Sequence, residues 1–358
     1  MYRIVNVTED MLKCHWEALF ERTQNLMEDF WDGNLTVEGK VGSKNVIKYI
    51  YKVCPDSPTW KFLDKYASGV YFRKLLCGSW EDILTIIGDV ETLCGGKEWK
   101  KGFTKEKFQA GEYFSSGKSV EGLIFVDDFH DILEEIFVKQ LYGKCLDKLR
   151  FIKGLELKVC PYCGRNQINV ASYEKKRVSK PPIDHFFPKS KYPFLAVSFR
   201  NLIPCCSTCN DISNKGNFDP LENSVLTLEN PYEFTDEHVH FNGEFPDMVS
   251  MNEDDYDVNM LFKPSCLTTG YREILKLEEF YKDEKQKMID MHDNLLTFSD
   301  ARKKNLASLG IEENYLNDVQ KQVLGYRLDG KTSVREFYKF KKEMFEQLLD
   351  KYNLALES

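Results

Sequence analysis

The chain of 358 residues lacks any apolar run near the length of about 18–20 residues that crosses a bilayer. Its first residues, MYRIVNVTEDMLKCHWEALF, show no basic segment followed by an apolar one, so we expect no secretory signal. Basic residues are fewer than acidic ones, 49 against 57, which argues against a protein that coats nucleic acid through its overall charge. These features predict a globular, cytoplasmic protein with no membrane partner.

The eleven cysteines are clustered, and without a secretory signal such clusters indicate metal binding more often than disulfides. Two C-x-x-C pairs, Cys160 with Cys163 and Cys206 with Cys209, are separated by 42 residues. This spacing lets both sulfurs of a pair point at one ion, and four thiolates form a closed tetrahedral site. We therefore predict a structural zinc ion; the alternative is a set of ordinary buried thiols. Cys205 is predicted to be only a buried neighbour of Cys206.

Four regions of the chain differ in amino-acid composition and in the spacing of their apolar residues. Residues 1–150 carry apolar side chains at helical spacing and predict a helical N-terminal domain. Residues 151–225 hold the cysteine pairs, prolines and short β-like runs, and predict a zinc-braced module. An acidic β/loop segment is predicted for 226–262, and helices return in a C-terminal region, 263–358. The fold class is therefore predicted to be α+β and mainly helical.

Charge changes sign in the middle of the chain. Residues 165–217 hold nine basic and three acidic side chains, whereas residues 217–262 hold twelve acidic and no basic ones. The first stretch predicts local affinity for phosphate. The second predicts a solvated acidic segment, and the alternatives are a segment that screens the site or a docking surface for a basic partner. Within the second stretch, HVHFNGEF predicts a short hairpin that turns at Asn242-Gly243.

Asp184 and His185 lie on a short predicted strand, PIDHFF. An unperturbed imidazole titrates near neutral pH and can take a proton from water. A carboxylate is a hard ligand that suits Mg²⁺ or Mn²⁺. Neighbours on a regular strand point to opposite faces, so both residues serve one site only if the strand ends or bulges there.

A short helix is predicted over STCNDISNK, with Ser207 as its N-cap and Gly216 at its end. On that helix Asn210 and Asn214 are four residues apart and share one face. An amide oxygen, like a carboxylate oxygen, is a hard metal ligand, so Asn210 is a candidate ligand and Asn214 is the alternative.

The order Asp-His, Asn, Cys-x-x-Cys-Asn and Lys-Gly resembles the HNH endonucleases, whose ββα-metal fold in one subclass is braced by a four-cysteine zinc site. The resemblance covers about residues 158–220 and implies an embedded nuclease module that hydrolyses phosphodiester bonds. It implies that His185 activates water and that Asn201 braces the loop that aims His185. Asp184 and Asn210 would hold the catalytic Mg²⁺ or Mn²⁺. Three basic side chains are expected to hold flanking phosphates: Lys215, Lys189 and Arg165.

The stretch IDHFFPKSKYPFLAVSFRNLIPCCSTCN is also similar to HNH proteins found beside ATPase genes in Septu-type anti-phage systems. This resemblance implies double-stranded DNA as the substrate, with RNA left open, and a partner ATPase subunit. The rival hypothesis is a non-catalytic zinc-dependent module that binds nucleic acid or protein through its basic face.

Two further patterns are interpreted as structural. The sequence GYRLDGKT at 325–332 fits a phosphate-loop pattern, but apolar residues precede it at helical spacing, so Gly325 is predicted to end a helix. The remaining histidines are predicted to pack in the interior or to lie at the surface: His15, His130, His238, His240 and His292.

Overall fold

The structure is a computed structural model that describes most of the chain. The described residues are 2–31, 36–41, 45–51, 53–66, 69–100, 124–126, 128–173, 177–222, 228–263, 270–297, 304–305, 307–310, 319–328 and 335–352. Helices combined with small sheets confirm the predicted α+β class. None of the helices within these ranges has both the length and the apolar character needed to cross a membrane.

Contacts within the chain divide it into two compact units. Unit 1 comprises Met1–Val5, Glu156–Pro182 and Pro204–Ser358, and unit 2 comprises Asn6–Leu155 and Ile183–Ile203. The segment 151–225, which was expected to hold the nuclease module, contributes residues to both units. Its boundaries as a separate domain stay a prediction.

Unit 2 is built mainly from helices. These are α1 (Glu9–Trp31), α2 (Pro58–Tyr66), α3 (Gly69–Cys77), α4 (Trp80–Leu93), α5 (Phe129–Leu133) and α6 (Lys148–Gly154), with a π-helical segment at Glu134–Cys145 between the last two. The start of α4 is encoded locally by a capping box, in which Ser79 and Asp82 each accept a hydrogen bond from the other's backbone N–H.

Unit 2 also contains a three-stranded sheet that the sequence analysis does not anticipate. The strand β1 (Thr36–Val41) pairs antiparallel with β2 (Asn45–Tyr51), which pairs parallel with β3 (Ile124–Val126). The third strand lies in a stretch whose apolar spacing predicts helix. Its β-branched and aromatic residues favour an extended chain when a neighbouring strand supplies hydrogen bonds. The helix α5 begins after it, where the Asp128 carboxylate caps the backbone N–H of Asp131.

The segment 183–203 belongs to the core of unit 2. It contains β6 (Ile183–His185) and the first two residues of β7 (Leu202–Pro204), and these strands form a two-stranded sheet. Phe187 stacks on Trp80 with ring centroids 5.3 Å apart, and Phe194 lies 5.4 Å from Phe62. Ser198 donates its hydroxyl to the Leu75 carbonyl at 2.6 Å. Burial of large aromatic rings holds this short, irregular segment in one conformation.

Unit 1 combines short strands with helices. Its elements are β4 (Ala171–Tyr173), β5 (Arg177–Ser179), α7 (Ser207–Asn210), β8 (Val239–Glu244), β9 (Asp257–Phe262), α8 (Leu277–Lys282), α9 (Lys285–Thr297), α10 (Val319–Leu324) and α11 (Tyr338–Lys351). As predicted, Gly325 ends α10, with a φ of +78°. Residues 329–332 of the phosphate-loop pattern lie outside the described residues.

The predicted turn at Asn242-Gly243 is wrong. Both residues lie inside β8, which pairs antiparallel with β9 so that Gly243 is opposite Val258. Gly243 serves a close approach instead, because a Cβ there would lie 2.5 Å from the Met344 sulfur of α11. The helix α11 covers the free edge of β8, since Glu343 and Gln347 hydrogen-bond its backbone groups.

Replacing Gly243 with alanine tests this close approach. The new methyl group would meet Met344, Phe245 and Met288 within about 3 Å. We expect Gly243→Ala to destabilise unit 1 by about 1–2 kcal/mol through overpacking. Chemical denaturation measures the change, with Asn242→Ala as control, since Asn242 is an exposed neighbour on the same strand. Equal stability of the two variants would contradict the packing argument.

Candidate functional site

The first cysteine pair lies in a tight turn of unit 1. Residues Val159 and Gln167 form a bridge on either side of it, and the Gly164 N–H donates to the Cys160 carbonyl at 2.8 Å. Gly164 has a φ of +67°, a conformation that glycine adopts without steric cost. The turn aims the Arg165 N–H at the Cys163 sulfur, 3.4 Å away.

The second pair is fixed by a helix start. Cys206, rather than the predicted Ser207, is the N-cap of α7, and its sulfur accepts the Cys209 N–H at 3.4 Å. The Asn166 amide also donates to the Cys206 sulfur, at 3.3 Å. Backbone and amide donors aimed at sulfur favour the thiolate form, which is the form that binds metal.

The two pairs meet as one buried cluster. The sulfurs of Cys160, Cys163, Cys206 and Cys209 lie within 4.8 Å of one another, and those of Cys163 and Cys206 are 4.0 Å apart. A tetrahedral zinc ion at about 2.3 Å from each sulfur separates the sulfurs by about 3.8 Å, so the four residues fit such an ion. Cys205 is buried but outside the cluster, as predicted.

Electrostatics within the cluster also favours a cation. Hydrogen bonds from the Cys160, Cys163 and Cys209 thiols lower the pKa of Cys206, with a smaller contribution from the Asn166 amide. Burial raises the pKa of the Cys160 thiol. Four sulfurs packed together without solvent cannot all ionise, because like charges repel at low dielectric, unless a cation neutralises them.

Arg165 and Lys215, both predicted to contact phosphate, are less accessible than expected. The Arg165 guanidinium is paired with Glu284 at 3.0 Å and lies over the Phe280 ring, 5.0 Å from its centroid. Lys215 is 1% exposed. Such settings are typical of side chains that hold a fold together, and phosphate binding by this pair stays a prediction.

The helix predicted over STCNDISNK is shorter than expected. The helix α7 ends at Asn210 because Asp211 is extended, and the Asp211 carboxylate accepts the Ser213 N–H at 2.8 Å in a local turn. Asn210 and Asn214 therefore do not share a helix face, which corrects the sequence analysis. The Asn214 amide instead donates to the Thr208 carbonyl at 2.6 Å.

In unit 2, Asp184 and His185 lie at the end of β6. They are 4% and 6% exposed, and the strand stops at His185, which meets the condition that two neighbours serve one site. The His185 Nε2 lies 3.0 Å from the Ala196 carbonyl oxygen. Since a carbonyl only accepts, Nε2 carries the proton in the neutral ring, and Nδ1 keeps a lone pair.

Asn201 holds the loop that follows His185. Its Oδ1 accepts the Phe187 N–H at 2.7 Å, and its Nδ2 donates to the carbonyls of Phe187 at 3.2 Å and Leu195 at 2.9 Å. The side chain is fully buried, so these bonds form away from water and are costly to lose. Asn201 thus connects both ends of the stretch between Phe187 and Leu195, and its role in a catalytic site stays a prediction.

The sequence analysis misses Tyr142 beside His185, and it misses Lys148 beside Tyr142. The Tyr142 ring, in the π-helical segment, lies 4.6 Å from the His185 ring. Lys148 and Lys189 approach the same tyrosine, with their ammonium groups 3.9 Å and 4.8 Å from its centroid. Partial burial lowers the pKa of Lys189. Only the basic residues near a tyrosine could have signalled this group, and such residues are common on any surface.

The predicted site residues thus lie in two places. Asp184, His185, Asn201 and Lys189 belong to unit 2, and Asn210 belongs to unit 1 with the cysteine cluster. The described residues define an α+β protein. Unit 1 has a buried four-cysteine centre able to bind a metal such as zinc, and unit 2 has an Asp-His pair on a short strand.

The chain matches no family profile and no solved structure. Over 93 residues it is 31% identical to a Septu protein PtuB from Bacillus thuringiensis, a match that covers 25% of this chain. The match covers 32% of that relative, so the chain spans about a third of the length of the curated protein that it resembles.

The cysteine cluster predicts a paired outcome for two neighbouring substitutions. Cys206→Ser removes one of four sulfur ligands, and we expect loss of bound zinc and a lower unfolding temperature. Cys205→Ser changes a buried thiol outside the cluster, and we expect it to keep one zinc ion per chain. Elemental analysis with thermal unfolding measures both. Equal zinc content in the two variants would rule out the four-cysteine site.

Proposed function

We propose that this chain is a metal-dependent endonuclease of the HNH type that hydrolyses phosphodiester bonds, with double-stranded DNA as its substrate. The observation that carries the proposal is the fixed orientation of His185. Its Nε2 donates to the Ala196 carbonyl at 3.0 Å, so Nδ1 is the basic nitrogen of the neutral ring, and Asp184 is its neighbour in the chain.

His185 is the proposed general base. A neutral imidazole with one nitrogen bonded to a backbone carbonyl is restricted to one tautomer, so the other nitrogen accepts a proton from water. The charged imidazolium that results is stabilised by the same carbonyl, which can still accept the Nε2–H bond. The edge of the Tyr142 ring packs beside the imidazole and limits its rotation.

Asp184 and Asn210 are the proposed ligands of a divalent cation. Their carboxylate and amide oxygens are hard donors, which fits Mg²⁺ or Mn²⁺ with several waters retained. When bound, such an ion neutralises the scissile phosphate and stabilises the departing oxygen. Asn214 is the alternative amide ligand, and its Oδ1 is buried without a hydrogen-bond partner in the described part of the chain.

Lys189 and Lys148 are the proposed phosphate contacts nearest the base. Both are half-buried against the Tyr142 ring, whose face attracts their ammonium groups. Arg165 and Lys215 come second in this proposal, because Arg165 is half-buried and paired with Glu284 and Lys215 is buried. Basic groups of this kind supply affinity for a nucleic-acid backbone whatever its sequence.

The nuclease proposal predicts a strong effect of His185→Ala. Removing a general base lowers the rate by about 10²–10⁴-fold, so we expect cleavage of plasmid DNA with Mg²⁺ or Mn²⁺ to fall by that factor. His15→Ala is the matched control, because His15 is also a buried histidine of unit 2 whose Nε2 bonds a backbone carbonyl.

Circular dichroism is the control for folding of each variant. The substrates to be tested are duplex DNA, single-stranded DNA and RNA. Wild type and His185→Ala that cleave equally in every metal, with any partner present, would refute the nuclease. Binding that persists without cleavage, and that survives loss of Asp184, would favour the non-catalytic zinc module instead.

We further propose that this nuclease acts in anti-phage defence with a partner ATPase. The proposal is supported by the similarity to a Septu protein PtuB over a quarter of the chain, and by the resemblance of the Asp-His and cysteine motifs to HNH proteins of such systems. We expect the tagged chain to co-purify with an ATPase from its native host and to protect that host from phage. His185→Ala should keep the partner and lose protection. If the chain purifies alone and is fully active alone, the proposal of a partner ATPase is refuted.

A further inference from the structure

A second cluster of potential metal ligands lies in unit 2, where α5 passes into the π-helical segment. The ligand atoms of His130, Asp131 and Glu134 lie within 4.8 Å of one another. His130 and Glu134 are four residues apart, the spacing at which helical side chains meet on one face. The π-helical backbone begins at Glu134 itself, and such backbone often occurs at functional sites.

The orientation of His130 points to a ligand. Its Nε2 lies 2.9 Å from the Ser190 carbonyl oxygen, so Nε2 donates, and Nδ1 faces the cluster. Histidines that bind metal commonly donate their second ring nitrogen to a backbone carbonyl in this way. His130 is 5% exposed, and within the described residues its Nδ1 has no hydrogen-bond partner.

The neighbouring Asp131 carboxylate does not hydrogen-bond that nitrogen. The Asp131 Oδ1 lies 3.6 Å from the His130 Nδ1, which is too long for a hydrogen bond. In the neutral ring an acceptor nitrogen then faces an acceptor oxygen, an arrangement that a cation between them would make favourable. Asp131 is 8% exposed and Glu134 is half-buried, so neither carboxylate is fully screened by water.

We propose that His130, Asp131 and Glu134 bind a divalent transition-metal ion, distinct from the four-cysteine centre. One imidazole nitrogen with two carboxylate oxygens suits Mn²⁺ or Zn²⁺, and water completes the coordination. Donors on one ion at about 2.1 Å lie about 3.0–3.4 Å apart, so rotation of the two carboxylates closes the cluster. The His130–Ser190 bond would connect the ion to the loop at 187–195.

The full chain is first treated with a mild chelator that leaves zinc on the four cysteines. Mn²⁺ is then added, and its binding is measured by electron paramagnetic resonance. The background variant is Asp184→Asn, which removes the proposed oxygen-only catalytic site. We expect that this variant still binds Mn²⁺, with a nitrogen coupling in the pulsed spectrum from the His130 ring. Glu134→Gln in the same background should weaken this binding at least about tenfold.

Glu17→Gln, which alters an exposed carboxylate of α1, should leave the Mn²⁺ affinity unchanged. His130→Ala should abolish the nitrogen coupling. If His130→Ala does not fold, Glu134→Gln still tests the site. Mn²⁺ binding without nitrogen coupling, or equal affinities for Glu134→Gln and Glu17→Gln, would overturn the site. Loss of all Mn²⁺ in Asp184→Asn would also overturn it and leave the nuclease proposal standing.

Discussion

The structure depends on a closure of the chain within unit 1. The chain leaves this unit after Pro182 and returns at Pro204, and the Cys205 N–H donates to the Pro182 carbonyl at 3.1 Å, so that the two crossing points are fixed together. The four clustered sulfurs lie on either side of these points in sequence. Both ends of the segment 183–203 are therefore held at fixed positions in unit 1.

This closure explains why so short a segment can hold buried polar groups. Closing a loop of about twenty residues costs several kcal/mol of conformational entropy. A metal ion held by the four cysteines would offset that cost, and it would do so from outside the segment itself. The segment needs only its aromatic side chains to pack in unit 2, and Phe187 and Phe194 do so against Trp80 and Phe62. Its backbone carbonyls are then available to orient side chains rather than to form long strands.

Features encoded by nearby residues were predictable from the sequence. The C-x-x-C spacing of the two cysteine pairs located the cysteine centre, and Gly325 ends its helix as predicted. Each of these features depends on a few neighbouring residues. Gly243 was misread as a turn because its role depends on Met344, about a hundred residues away. The same limit applies to Tyr142 beside His185, since no local pattern indicates which distant ring will pack on a histidine.

After Cys209, local side-chain hydrogen bonds compete with helical ones, and the sequence already contains the residues that favour the local bonds. Asp211 and Ser213 prefer local side-chain hydrogen bonds to helical ones, and their bond ends α7 at Asn210. The periodic spacing of Asn210 and Asn214 was weaker information than the turn chemistry between them. The carboxylate and amide chemistry of the proposed ligands does not depend on that helix, so the correction changes the geometry of the hypothesis and not its residue types.

One backbone segment orients three of the polar side chains discussed above. Between Phe187 and Ala196, carbonyl oxygens accept from His185, from His130 and twice from Asn201. A carbonyl fixes which nitrogen of an imidazole carries the proton, so this segment sets the tautomer of both histidines. A shift of the segment by an ångström would therefore disturb both rings together. That shared dependence explains why a fully buried asparagine, which is costly to leave unsatisfied, holds the segment at both ends.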